Sequence, residues 1–279
     1  MPKIISLEKK KRLYKVVFDD ERTIYVTEDT IVRFFLSKGA VFENAEIEKI
    51  AEFADFSRGK NLGLYYISFK QRTKKEVIRY LIDHEIPNVQ IAKIIDALEA
   101  SRFIDDPAYA ESFVRGKVLG KSAGPYQIQQ KLVDKGIDKT LALEKLELLY
   151  DFVTQVEVAT HLAEKLVMSK YSRLPLKALK MKIATNLTSK GFSYDISKIA
   201  IDNLELESDE DNESELLQKE LDKIMRKYSR KYDGYDLKQR VSNALARKGF
   251  DFDVINRELR EIDFNTKQAQ LLSFYLAIK

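Results

Sequence analysis

Cysteine and tryptophan are absent from the 279-residue sequence, and only two histidines occur, His84 and His161, on separate predicted helices. The lack of thiol removes disulfides, thiolate nucleophiles and cysteine-ligated zinc together. So little imidazole, so widely spaced, predicts no histidine metal centre or triad. No run approaches the roughly 18 consecutive apolar residues of a membrane helix, and the basic start, Met1 to Lys11, leads into no apolar stretch of the secretory kind. A cytoplasmic chain without membrane association is expected. Phosphate-cradling, dinucleotide-binding and HExxH patterns are also missing, and Gly59-Lys60 and Gly116-Lys117 stand alone. The one adjacent acidic pair, Asp105-Asp106 before Pro107, reads as a helix start, with Asp at the N-cap and Pro at the first helical position. These absences predict a protein that is not an enzyme, takes no cofactor or metal, and acts by binding a macromolecule.

What is present begins with a short strand pattern. Val16 and Phe18 alternate before the polar stretch Asp19-Asp20-Glu21-Arg22, and Ile24 and Val26 after it, which predicts a β-hairpin with Ile4 to Leu7 as a third strand. Thr27 has the character of an N-cap, followed by Glu28 and Asp29 in a first turn and an apolar run to Leu36, closed by Lys38-Gly39. A second helix is predicted over Glu43 to Phe56, and Arg58-Gly59-Lys60-Asn61 then marks the end of an α+β module, residues 1–60.

Beyond it the chain resembles itself. Lys135-Gly136-Ile137, Lys190-Gly191-Phe192 and Lys248-Gly249-Phe250 share one junction, and Glu85-Ile86 is a weaker fourth. Relative to the glycine (or Glu85), position −4 is Leu81, Leu132, Leu187 and Leu245, and −8 is Val77, Ile128, Ile183 and Val241. Position +1 is Ile86, Ile137, Phe192 and Phe250; +10 is Ile95, Leu146, Ile201 and Leu259; +13 is Leu98, Leu149, Leu204 and Ile262. Apolar residues four apart share a helix face, and glycine followed by an apolar residue suits a left-handed helix cap. Each unit is thus helix, glycine turn, helix, with room upstream for another helix. The predicted fold is mainly α: an elongated, curved array of tandem three-helix repeats at residues 61–104, 105–152, 153–206 and 215–265, with an acidic linker at 207–214 and a tail at 266–279.

The net charge of +4 conceals an uneven distribution. Residues 205–215 carry seven acids and no base, so the remainder stands at +11. Such a run reads as a solvated, flexible connection. Bases gather near the start of each middle helix: five in 70–79, seven in 165–190, nine in 223–248. Tyrosines lie among them, and Lys170-Tyr171-Ser172-Arg173 is repeated as Lys227-Tyr228-Ser229-Arg230, a combination suited to nucleic-acid backbone and unstacked bases or to a helix end.

Phe103-Ile104-Asp105-Asp106, Tyr109-Ala110, Phe113-Val114-Arg115, Gly124-Pro125, Ile128, Leu132 and Lys135-Gly136-Ile137 together resemble the signature stretch of the RecX family, and Lys170-Tyr171 through Lys190-Gly191-Phe192 its continuation. The resemblance covers roughly residues 66–205 and is looser elsewhere. It implies a monomeric regulator that binds the RecA recombinase and its DNA filament, inhibits recombinase, ATPase and coprotease activities, and so modulates homologous recombination, DNA repair and the SOS response. The chain looks like a longer form of that family, with a fourth unit and the N-terminal module. It departs in having Glu85 where the turn glycine belongs, and in a weakly basic segment around Lys117 and Lys121. The expected partner or DNA contacts are Arg72, Lys74, Arg115, Lys177, Lys180, Arg226, Arg230 and Lys238. The residues alone also fit an autonomous helical-repeat protein that binds single- or double-stranded nucleic acid.

Overall fold

The computed structural model describes residues 1–262 and Phe264; the expected tail at 266–279 lies outside them. The chain forms two compact units, one of residues 1–115 and 129–149, the other of 116–128 and the described residues from 150 onward.

The first unit opens with an antiparallel sheet in the order β1 (Ile4–Lys10), β2 (Leu13–Phe18), β3 (Thr23–Val26). Val16 and Phe18 of β2 point to the core with Ile4 and Val26, as the two-residue period requires. Thr27 caps α1 (Glu28–Phe34) by accepting from the Thr30 N–H, and its hydroxyl also meets those of Thr30 and Ser57 in a buried cluster. α2 (Asn44–Ser68) starts with a capping box between Glu43 and Glu46. It then runs unbroken through Arg58-Gly59-Lys60-Asn61, where the sequence suggested a stop. The glycines serve packing: a Cβ on Gly59 would collide with Ile94 Cδ1, and one on Gly63 would meet Leu98 Cδ1 at 3.0 Å. Their absence of side chain lets α4 lie close. α2 therefore belongs both to the sheet module and to the helices after it.

α3 (Lys74–Asp83) and α4 (Asn88–Ala100) pack on α2 around Val77, Leu81, Ile86, Ile94, Ile95 and Leu98. α5 (Asp106–Leu119), α6 (Pro125–Asp134) and α7 (Lys139–Leu149) follow. In the second unit come α8 (Phe152–Lys170), a 3-10 turn at Tyr171–Arg173, α9 (Leu176–Ser189), α10 (Tyr194–Asp202), α11 (Glu210–Tyr228), α12 (Gly234–Arg247) and α13 (Phe252–Arg260). Both copies of Lys-Tyr-Ser-Arg thus lie at the carboxyl ends of helices, where cations suit the dipole.

The −8, −4 and +1 columns are buried in all four copies. The +10 and +13 columns are weaker, since Leu149, Ile201, Leu204 and Ile262 are only half-buried. After every middle helix (α3, α6, α9, α12) the backbone closes in the same way. The N–H of Ile86, Ile137, Phe192 or Phe250 donates to the carbonyl of the −4 leucine at 3.1, 3.0, 3.1 and 3.4 Å, and the zero residue donates to the carbonyl of residue −3. This is a Schellman cap, with φ of +90°, +91° and +95° at Gly136, Gly191 and Gly249, and +58° at Glu85.

Three of these caps carry a second constraint. Gly136 lies on Lys75 at the amino end of α3, Gly191 on Gln127 at the amino end of α6, and Gly249 on Ala178 at the amino end of α9. A Cβ on any of the three would approach within 3.0 Å, and at Gly191 and Gly249 the obstacle includes backbone. The ends also exchange hydrogen bonds: Thr73 Oγ1 donates to the Lys135 carbonyl at 2.7 Å, Lys75 Nζ to the Asp134 carbonyl at 3.3 Å, and the Gly124 and Tyr126 N–H groups to the carbonyls of Lys190 and Gly191 at 2.7 and 3.2 Å. Glu85 caps a helix whose carboxyl end meets Arg58 of α2 instead, through a 3.4 Å bond to its carbonyl. The departure at Glu85 therefore falls where the close helix-end contact is replaced.

Acids from a neighbouring first helix complete two of these amino ends. Asp106 Oδ1 accepts from the Lys74 N–H at 2.9 Å, and Glu213 Oε1 from the Leu176 N–H at 2.8 Å. The acidic run expected to be a flexible connection is, from Glu210 onward, the first turn of α11. Asp209 is its N-cap and accepts from Asn212, and the acids lie at the positive end of the helix dipole.

Gly191→Ala is expected to lower stability by about 2 to 4 kcal/mol, through left-handed strain and overpacking against Gln127, whereas Glu85→Gly should stay within about 1 kcal/mol of the parent; urea unfolding midpoints measure both. A second expectation concerns Glu76, which closes the capping box of α3 with Thr73 and pairs with Lys135 at 2.8 Å. Burial pushes its carboxyl up, but the Lys135 ammonium, the Thr73 N–H and the charge of Arg72 outweigh this and hold it below its ordinary 4.5. A depressed carboxyl contributes stability above its unfolded value and loses it as pH falls through the folded one. Glu76→Gln should therefore cost about 1 to 2 kcal/mol at neutral pH, with the difference from the parent vanishing in acid.

Candidate functional site

The eight expected contact residues occupy different kinds of position. In the first unit, Arg72 and Lys74 flank Thr73, the N-cap of α3, and are built into the structure. The Arg72 guanidinium lies over Tyr66 at 3.8 Å, and Tyr66 stacks on Tyr80 at 4.1 Å with an angle of 2°. His84 continues the column at 4.1 Å. Arg72 Nε is buried without a hydrogen-bond partner among the described residues, and the tyrosine face, together with the Glu76 carboxylate, offsets the charge of its guanidinium. Lys74 pairs with Glu99 at 3.0 Å. Arg115, exposed on α5, pairs with Glu111 one turn before it at 3.0 Å.

In the second unit the cations are less engaged. Lys177, in the first turn of α9, is exposed, and Lys180 one turn on is half-buried; neither has an ion pair among the described residues. Arg226 and Arg230 are exposed at the carboxyl end of α11, likewise without acidic partners among those residues. Lys238 on α12 lies 5.9 Å from the ring centre of Phe264.

The tertiary structure adds a feature that listing basic residues did not isolate. Between α11 and α12 is a cavity of about 240 Å³, lined by Ile224, Lys227, Tyr228, Ala244, Arg247 and Lys248. Lys227 lies over the Tyr228 ring at 5.6 Å. Lys248 pairs with Glu220 at 3.3 Å, and Lys223 and then Lys248 hold that carboxyl below its ordinary range. Three cations thus converge on an apolar floor with one phenol, from two turns of α11 and the last turn of α12. The signal in the sequence was the Lys-Tyr step of the repeated tetrapeptide, together with two bases directly before Gly249. Nearby, Arg240 covers Tyr232 at 4.0 Å and pairs with Asp236. Cations beside aromatic faces can neutralise phosphates and receive unstacked bases, or meet an acidic protein surface.

Among the described residues no cluster of three His, Asp or Glu side chains could hold a metal ion. Burial, opposed by the Lys74 N–H, raises the Asp106 carboxyl, and its oxygen is engaged as the cap of α3. Asp105 accepts from the Ala108 N–H at 2.8 Å and starts α5. Burial pushes the Tyr150 phenol up, and its hydroxyl donates to the Ala123 carbonyl at 3.0 Å. Among the described residues no helix is long and apolar enough to cross a membrane.

Comparison with known proteins agrees with this geometry. Family profiles described as "RecX, second three-helix domain" and "RecX, third three-helix domain" match residues 105–146 and 211–259. The chain is 50% identical over 268 residues to "Regulatory protein RecX" of Lactococcus lactis subsp. lactis (strain IL1403), covering 95% of this chain and 99% of that one. It is 49% identical over 259 residues to the protein of the same name from Streptococcus sanguinis (strain SK36), covering 93% and 99%. Among solved structures, "Crystal structure of regulatory protein RecX" aligns with a TM-score of 0.59 at 29% identity, covering 72% of this chain and all of that one. "Crystal structure of RecX from Lactobacillus salivarius" aligns with a TM-score of 0.51 at 40% identity, covering 55% and 98%. With half of its residues shared along nearly the whole length of such relatives, and the three-helix pattern common to them, the chain belongs to the RecX family of regulatory proteins.

Proposed function

We propose that this chain is a non-enzymatic regulator that binds the RecA recombinase on its DNA filament and inhibits strand exchange, ATP hydrolysis and coprotease activity. The reading is carried by the near full-length relationship to regulatory proteins of one family. The physical chemistry agrees with it. A modulator of a nucleoprotein filament must meet phosphates and an acidic or mixed protein surface, and needs no reacting groups of its own. Exposed cations without acidic partners among the described residues, Lys177, Arg226 and Arg230, supply such a surface, and Lys180 and Lys238 extend it. Arg72, Lys74 and Arg115 act in this reading through the sites they build, since each already has an aromatic or acidic neighbour.

The groove of Lys227, Tyr228, Arg247 and Lys248 favours a second reading, an autonomous nucleic-acid binder. The two part company in a titration. Added to recombinase on single-stranded DNA, the chain is expected to slow ATP hydrolysis and strand exchange at amounts below those that coat naked DNA. No effect at any ratio, together with tight oligonucleotide binding, would reject the recombinase reading. The variant Lys177→Glu with Arg226→Glu should weaken filament binding by about tenfold or more, or about 1.4 kcal/mol and upward. Lys227→Glu with Arg247→Glu should weaken oligonucleotide binding and reduce the slope of log affinity against log salt by about 1.4, for two lost single-strand phosphate contacts.

A further inference from the structure

The first unit contains a cavity of about 480 Å³ that the recombinase reading leaves without a task. α1, α2 and α4 line it, and it opens to solvent. Its apolar part is three rings, Phe34, Phe53 and Phe56, with Phe34 edge-on to Phe53 at 5.7 Å and Phe53 tilted against Phe56 at 6.0 Å. Its rim carries Arg33, Lys49 and Lys93 against one acid, Glu52, and all four are exposed. None of the three cations has an ion pair among the described residues. Arg33 rests on the Phe53 ring at 4.4 Å.

The cavity also holds Gln90 of α4, which is 5% exposed. Its backbone N–H donates to the Pro87 carbonyl, and its side-chain amide, without a hydrogen bond among the described residues, keeps its polar atoms in contact with solvent on the cavity side. Here it faces a space large enough for a ligand that carries both a donor and an acceptor.

We propose that this cavity docks an acidic peptide segment bearing a bulky apolar side chain. Carboxylates of the peptide meet Arg33, Lys49 and Lys93; its apolar side chain packs against the outer edges of the three phenylalanine rings; and its backbone amide pairs with Gln90. Charge complementarity selects an anionic occupant. The ring geometry selects a peptide over a nucleic acid, because Phe53 is already covered by Arg33 and flanked by the other two rings, which leaves no open platform for a base. An aromatic floor with a charged rim is a common form of a side-chain anchor site. The inference stands apart from the recombinase reading, since it concerns different residues and a different class of ligand.

The test uses the full chain and a fluorescein-labelled peptide of consecutive aspartates closed by leucine and phenylalanine, followed by fluorescence anisotropy. Saturable binding is expected, weakened by about tenfold when serines replace the aspartates or alanines the closing pair. Lys49→Glu with Lys93→Glu should weaken it about tenfold as well, with an unchanged circular dichroism melt because both side chains lie in solvent. Gln90→Leu, which keeps the apolar volume, should bind a few-fold less well without loss of stability. Three results would overturn the proposal: no binding of the acidic peptide, equal binding of the alanine-closed peptide, or unimpaired binding by the charge-reversed variant. Displacement of the peptide by oligothymidylate, with the same loss in both variants, would instead assign the cavity to nucleic acid and overturn it equally.

Discussion

The carboxyl end of one middle helix meeting the amino end of another is the contact on which most else in this protein depends. The last carbonyls of a helix and its first N–H groups have no partners within it, and they carry opposite partial charges. Here they satisfy each other. Lys190 and Gly191 offer carbonyls to N–H groups at the start of α6, and Lys135 offers its own to the hydroxyl of Thr73, the N-cap of α3. The approach is so close that the residue at the end of the Schellman cap is held twice, by its left-handed backbone and by lack of room for a Cβ. Left-handed geometry alone tolerates glutamate, as position 85 demonstrates; the close contact does not. Glycine at Gly136, Gly191 and Gly249 therefore records packing as much as conformation.

This contact also sorts the cations. Lys74, Lys75 and Lys135 gather where helix ends meet, and they are bound to Glu99, to the Asp134 carbonyl and to Glu76 respectively. Arg72 lies in the same region against its tyrosine column. A count of bases around the start of α3 thus mixes groups that hold the fold with groups open to a partner. In the second unit the balance is different, because Glu213 caps α9 through its backbone and leaves Lys177 and Lys180 unpaired among the described residues. Acidic residues divide in the same way. Asp106 and Glu213 are helix caps supplied from elsewhere in the chain, which is why an adjacent acidic pair and an acidic run both turn out to have structural roles.

Much of this was legible in the residues. The −8, −4 and +1 positions are buried in every copy, since apolar spacing of four and a residue after a glycine cap have one physical meaning wherever they recur. The hairpin and the Thr27 cap were equally readable, being local. The extent of α2 was not. Gly59 looked like a stop because glycine lowers helix propensity by roughly 1 kcal/mol, and only the proximity of α4 shows why the helix keeps it. The run after Glu205 misled for a related reason, as acids suit both a solvated linker and the first turn of a helix. The cationic groove was half visible: Lys227-Tyr228 and Arg247-Lys248 could be singled out, but nothing linear joins residues twenty apart on two helices.

By itself, then, the sequence determined the helical character, the repeated unit with its glycine turn, the small β module and the family to which the residues bear resemblance. All of these rest on interactions between residues near one another along the chain, and so on periodicity and local conformational preference. Tertiary structure alone decided which glycines make room for a neighbour, which acids cap distant helices, which cations are left unpaired, and where rings and bases converge on a cavity. Those outcomes depend on side chains brought together from remote positions, and a linear pattern carries no distance between them.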